Sequence, residues 1–235
     1  MSTLHLFVLE AKMDIKKEIR KKLMPWILKN IWYVNLSGNK QSNYIFSSVD
    51  FVRFSQIDML LNQVLEVEGD VAELGVYRGK LSCLLADKIK NTEKNLWLFD
   101  TFTGFDKQDL VGVDHGKYED FTDTSDNFVL NRVINAGLSR DRIEIRKGLF
   151  PKTAYGLQGS CFCFISIDFD LLKPTKDALH IMWKHLSKGG FMIVHDYNHK
   201  YYNGVKEAVD DFVLKNGIEN TFILCDYCGT YIIKK

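Results

Sequence analysis

The chain has 235 residues, 46% of them hydrophobic and 13% aromatic, with 31 Lys+Arg against 30 Asp+Glu for a net charge of +1. That length suits one domain with ample core material, and the balanced charge gives no reason to expect nucleic acid or an anionic membrane as the main partner. Three prolines and sixteen glycines exclude collagen-like and proline-rich chains, and the apolar content excludes disorder.

Residues 4–9 are apolar, but no basic residue precedes them and Glu10 and Lys12 follow, so no signal peptide is expected. Apolar runs such as residues 191–194 fall far short of the roughly 20 residues that span a bilayer. Five cysteines, an odd count, point to reduced thiols and a cytoplasmic protein with no stable membrane insertion. Residues 16–22 are basic, broken by Glu18, and lead into an apolar stretch at Trp26, Ile31 and Trp32. This reads as a helical extension over residues 1–50, either a solvated face or a membrane-surface helix.

The main domain is expected over residues 51–235. Ile57, Leu60, Leu61, Val64 and Leu65 recur at helical spacing, and Gly69-Asp70 ends that helix. Residues 71–76 read as a buried strand, 81–89 as a helix and 96–99 as a second strand ending at Asp100. Residues 101–126 are too long for a plain connection and form a candidate functional loop; their aromatic residues either close over a ligand or pack the loop down. A helix is expected over 128–134, a strand over 143–145 and a fully buried strand over 162–167. Pro174 opens the next helix and Gly189-Gly190 closes it. A strand at 191–194, a helix at 205–214 stopped by Gly217, and a hairpin from 222–224 and 231–233 complete a doubly wound α/β sheet.

Ligands of such sheets sit beyond the carboxyl ends of the strands. The first strand ends Glu73-Leu74-Gly75-Val76-Tyr77-Arg78-Gly79, one G-x-x-x-G rather than the three-glycine dinucleotide fingerprint. Gly75 suits a tight turn and Gly79 a close helix approach. Asp100 closes the second strand, where a carboxylate accepts the hydroxyls of a ribose or, alternatively, caps a loop. Glu73 is an acid inside an apolar strand, costly unless paired or functional. A ribose without a second phosphate cradle favours an adenosyl compound over NAD.

Residues 69–79 resemble the first motif of the macrocin/mycinamicin O-methyltransferase family. Leu98-Phe99-Asp100-Thr101-Phe102-Thr103-Gly104-Phe105 is similar to its second strand and continuation. Ser166-Ile167-Asp168-Phe169-Asp170-Leu171-Leu172, with Thr175, Ala178 and Leu179, resembles its "D-x-D-L-Y…T…A-L" segment, and residues 189–197 with 204–212 its last motif. The resemblance covers roughly residues 50–215 in order. It implies a class I methyltransferase with a Rossmann-like sheet of seven strands, the last antiparallel, using S-adenosylmethionine and Mg²⁺ to methylate a sugar hydroxyl on a natural product or polysaccharide precursor. It also implies a homodimer, with residues 1–50 as lid or dimer contact. The expected cofactor residues are Glu73, Gly75, Tyr77, Gly79, Ser82 and Asp100.

A sugar hydroxyl is barely ionised at neutral pH, so the transfer calls for a general base or a cation that acidifies the acceptor. By resemblance Asp168 and Asp196 are the metal ligands with His195 as third, and Asp170 is the base with Asp168 in reserve. Asp168 and Asp170 share one side if the strand persists; capping of the following helix is the competing role. Three positions depart from the family pattern: Lys80-Leu81 follows Gly79, with Ser82 the neighbouring hydroxyl; His195 replaces the first acid of a pair; and Leu172 replaces a tyrosine. An imidazole ligand opens the site to Mn²⁺ or another transition ion, although His195 also reads as a hydrogen-bonded spacer. Cys161, Cys163, Cys225 and Cys228 begin and end on opposite strand edges, which argues against a shared zinc and for ordinary thiols, with a redox pair at 225/228 as the minor option. Rival readings are a phenol or catechol O-methyltransferase and an S-adenosylmethionine-binding module without turnover.

Overall fold

The computed structural model describes residues 51–235 apart from residue 120, together with two short strands near the N-terminus. The chain divides into two compact units, Met1–Ile45 and Phe46–Lys235. In the first, β1 (Tyr33–Val34) pairs antiparallel with β2 (Lys40–Gln41); the helical extension expected over residues 1–50 lies otherwise outside the described residues.

The second unit opens with α1 (Phe51–Val64) and continues β3 (Asp70–Leu74), α2 (Lys80–Ile89), β4 (Leu96–Asp100), α3 (Asp126–Asn135), β5 (Ile143–Lys147), β6 (Phe162–Ile167), α4 (Leu172–His185), β7 (Leu186–Val194), α5 (Gly204–Asn216), β8 (Thr221–Ile223) and β9 (Tyr231–Lys234). The sheet order is β5-β4-β3-β6-β7-β9-β8. β3 to β7 pair in parallel, whereas β9 runs antiparallel to both β7 and β8. This is the seven-stranded doubly wound sheet anticipated from the sequence.

Strand alternation divides the core between two faces. Val71 of β3, Phe164 of β6 and Phe191 and Ile193 of β7 pack with Phe54, Ile57 and Leu61 of α1, Leu84 and Leu85 of α2 and Val129 and Val133 of α3. Ala72, Leu74, Ile165, Ile167, Met192 and Val194 pack on the other face with Leu179 and Met182 of α4 and Val209 and Phe212 of α5. Each such Leu, Ile or Phe contributes about 1.5–3 kcal/mol on burial, so the two layers hold the strand ends rigidly. Among the described residues no helix is long and apolar enough to cross a membrane.

Two local expectations are corrected. Gly189-Gly190 do not close α4; the helix ends at His185 and both glycines lie inside β7. The register between β6 and β7 shifts there, and a Cβ on Gly190 would stand 2.7 Å from the Cys163 carbonyl oxygen, so the glycine serves strand approach. The 222–224 and 231–233 segments do pair, but across a connection over residues 224–230, which Asp226 closes by accepting the Thr230 N–H at 2.9 Å.

Candidate active site

The sheet order places β3 between β4 and β6, so chain direction diverges at β3 and a crevice opens at the carboxyl ends of these strands. Every element that carried a chemical expectation ends here. Gly75 follows β3, Asp100 closes β4, Asp168 follows β6, and His195-Asp196 follow β7. Among the described residues, the non-glycine positions with positive φ are Tyr77, Phe102, Asp170 and Asp196, all in the turns that rim this crevice. Such conformations are uncommon and gather at functional sites.

On the β3 side, Asp100 organises the turn. Its Oδ2 accepts the N–H groups of Val76 at 2.6 Å and Tyr77 at 2.9 Å, and its Oδ1 accepts that of Phe102 at 2.6 Å. The loop-capping role is therefore real, yet a carboxylate offers about four lone-pair directions, which leaves room for a further donor. Gly79 adopts a left-handed conformation at the start of α2. Tyr77 donates its hydroxyl to Asp123 at 2.6 Å, and Thr124 donates to the Tyr77 carbonyl at 2.6 Å, tying the turn to the end of the 101–126 loop.

Glu73 is buried in β3 and accepts a hydrogen bond from Ser82 of α2. Burial pushes its pKa well above the ordinary carboxylate range; Ser82 and Arg53 pull it back, while the charges of Asp168 and Asp100 push it further up. The sign follows from linkage. An unfolded glutamate titrates near about 4.3, so the stability tied to the protonated form is complete below that value and is lost as pH rises through the folded value. Glu73→Gln stays neutral throughout. Its melting temperature relative to the native chain is expected to rise as pH increases above the range where an unfolded glutamate titrates; a pH-independent difference would refute the buried neutral acid.

On the β6–β7 side, one oxygen each from Asp168, Asp170 and Asp196 lie within 4.8 Å of one another. The convergence does not come from a continuing strand, as expected, because β6 stops at Ile167 and Asp170 turns back with φ 62°. Nor do these acids cap α4. Asp114, fully buried in the long loop, accepts the Leu172 N–H at 2.6 Å and pairs with Lys117 at 2.6 Å, which in turn reaches Asn203 at 3.1 Å. The loop is thereby pinned to the starts of α4 and α5. Phe121 packs edge-on to Tyr77 and Phe105, with ring centroids 5.0 and 5.3 Å away, whereas Tyr118 and His115 are exposed.

His195 lies between two of the acids, its Nδ1 2.9 Å from both Asp168 Oδ1 and Asp196 Oδ2. Burial pulls the imidazole pKa down, but the Asp168 charge and the bonds to Asp168 and Asp196 outweigh it and hold it well above its usual value. Asp170 is driven the other way for a carboxyl: burial and the charges of Asp168 and Asp196 raise it well above the ordinary range. Asp196 stays ionised, since its bonds to His195 and Asp170 overcome its burial. Two further groups reach the site only through tertiary contacts. Arg53 of α1 pairs with Asp168 Oδ2 at 3.0 Å, and its only sequence signal is a cation beside the apolar stripe of α1. Cys228 lies with His195 and Asp196, ligand atoms within 4.8 Å, and its Cys-x-x-Cys spacing was visible without its partner.

Residues 37–234 match the Macrocin-O-methyltransferase (TylF) family. The chain belongs to that family. It is an O-methyltransferase, and membership implies S-adenosylmethionine as methyl donor, in line with the adenosyl compound expected at the β3 turn. The 8-demethyl-8-(2,3-dimethoxy-alpha-L-rhamnosyl)-tetracenomycin-C 4'-O-methyltransferase of Streptomyces olivaceus is 27% identical over 83% of this chain and 78% of its own length. The mycinamicin III 3''-O-methyltransferase of Micromonospora griseorubida is 26% identical over 83% of this chain and 81% of its own. The solved structure of the O-methyltransferase NovP superposes with a TM-score of 0.67 at 24% identity, over 78% of this chain and 79% of that one, the same fold.

Proposed function

We propose that this macrocin-family O-methyltransferase methylates a sugar hydroxyl on a glycosylated natural product or polysaccharide precursor, with Asp170 as general base. The observation that carries the reading is the convergence of Asp168, Asp170 and Asp196 beside the turn that Asp100 organises. The curated relatives described above act, by their names, on a rhamnosyl tetracenomycin and on mycinamicin III, which supports a sugar-bearing acceptor.

In the reaction the acceptor oxygen attacks the sulfonium methyl carbon, the methyl–sulfur bond breaks, and the hydroxyl proton passes to Asp170. Three carboxylates within reach of one point make an oxygen donor set suited to Mg²⁺, with Asp168 and Asp196 as its holders. Such a cation, when bound, lowers the acceptor hydroxyl's pKa and orients it. Glu73, Gly75, Tyr77, Gly79, Ser82 and Asp100 hold the cofactor in this reading. His195 fixes the two acids it bridges or joins the donor set, and Arg53 sets the orientation of Asp168.

Calorimetric titration of S-adenosylmethionine into the purified chain, with and without Mg²⁺ or Mn²⁺, tests the cofactor half. Micromolar binding is expected, and Asp100→Ala is expected to weaken it about 10–100-fold, the worth of a hydrogen bond to a charged group. A melting curve for the variant separates lost binding from a loosened 76–77 turn. Absence of binding under every metal condition overturns the proposal.

A further inference from the structure

We propose that His195, Asp196 and Cys228 form a mixed nitrogen, oxygen and sulfur site that selects a transition-metal dication over Mg²⁺. The inference rests on the reading of the acidic cluster as a cation site and deepens it, because Asp196 belongs to both groups of ligand atoms.

The topology builds the juxtaposition. β8 and β7 both run antiparallel to β9, so the end of β8 reaches the same sheet edge as the end of β7, and the 224–230 connection lands against His195-Asp196. It is fixed there. The Asn198 N–H donates to the Cys228 carbonyl at 2.8 Å. Gly229 has φ 68°, and a Cβ on it would stand 2.5 Å from the Asn198 side-chain nitrogen, so the two turns touch with no space for a side chain. Asp226 binds both the N–H and the hydroxyl of Thr230. Cys228 is buried within this frame, whereas Cys225, three residues earlier, is exposed.

Ligand atoms on a tetrahedral zinc lie about 3.3–3.8 Å apart, given bond lengths of about 2.0–2.3 Å. A group already inside 4.8 Å needs a contraction of about 1 Å to close. The donor chemistry then decides the ion. Mg²⁺ takes oxygen ligands almost exclusively, whereas imidazole and thiolate together favour Zn²⁺, Co²⁺ or Fe²⁺. Coordination requires the thiolate, so the Cys228 proton leaves to solvent as the metal–sulfur bond forms.

Co²⁺ titrated into chelator-treated, reduced full-length chain gives a readout independent of methyl transfer, the near-ultraviolet thiolate-to-cobalt charge-transfer band. The band is expected to grow to saturation, to be erased by equimolar Zn²⁺ and to survive a large excess of Mg²⁺. Cys228→Ser is expected to lose the band and to weaken Co²⁺ binding by at least about tenfold; Cys225→Ser keeps both. Cobalt binding without the band, a band that persists in Cys228→Ser, or displacement by equimolar Mg²⁺ overturns this site while leaving the acidic cluster intact. Failure of Co²⁺, Zn²⁺ and Mg²⁺ alike to bind overturns the cation reading as well. The band in the native chain decides the matter even if the serine variant misfolds.

Discussion

Replacing Asp170 by asparagine is expected to lower turnover by about 10²–10⁴-fold, the usual contribution of a positioned general base, while cofactor affinity stays within about twofold. Asparagine is the informative substitution because Asp170 has φ 62°, a conformation asparagine tolerates and alanine does not, so the backbone turn survives. Burial and the neighbouring charges of Asp168 and Asp196 raise the Asp170 pKa above the ordinary carboxylate range. The sign of the pH profile follows: the base works only when deprotonated, so kcat in the native chain climbs as pH rises through the folded value. The residual rate of Asp170→Asn lacks that limb. An unchanged kcat, or an unchanged acid limb in the variant, would remove Asp170 from the role and return it to Asp168.

Gly75→Ala is expected to cost more than about 4 kcal/mol of stability, at the far end of what single substitutions do. A Cβ at this position would stand 1.9 Å from the Asp168 carbonyl oxygen and 2.6 Å from its carbonyl carbon, with φ at 85°. Both obstacles are backbone and cannot rotate aside. They are also held, because the Asp168 N–H donates to the Leu74 carbonyl at 2.7 Å and the Gly75 N–H to the Phe99 carbonyl at 2.9 Å. An alanine has to part the ends of β3 and β6, the two strands that bracket the crevice. At about 2–4 °C per kcal/mol for a chain of this size, the melting temperature should fall by about 10 °C or more. Gly112→Ala is the control, since that glycine also has positive φ but nothing within 4 Å, and about 1–2 kcal/mol is expected there. Equal melting of the two variants would show that the β3–β6 approach does not require the glycine.

At Gly75 the tertiary structure supplies a reason that the sequence does not. Its sequence context marks it as a tight turn near a cofactor; the structure adds that the space its missing side chain would fill belongs to the Asp168 backbone. A persisting strand would put Asp168 and Asp170 on one side of the pleat. They do converge, but through a left-handed turn, and the pleat argument fails because β6 ends one residue before Asp168. Capping of α4, the rival role for the same acids, falls to Asp114, which is 58 residues from the N–H it accepts. Asp100 caps the 76–77 turn, one of the two roles its place at the end of β4 allows.

Local spacing alone determined the seven strands, the helices between them and the acids and glycines at their ends, because burial on a pleated strand or a helical stripe is a property of periods of two and 3.6 residues. Parallel pairing followed from the same pattern, since strands separated by helices need crossovers, but the order β5-β4-β3-β6-β7-β9-β8 came from the structure. Tertiary structure alone decided who meets at the crevice. Arg53 lies 115 positions from the carboxylate it pairs with, and Cys228 reaches His195-Asp196 only because β8 and β9 fold back along β7. Such pairings depend on which strand edges coincide in space. No short-range period in the chain encodes that, because the contact forms only after the two core layers have packed.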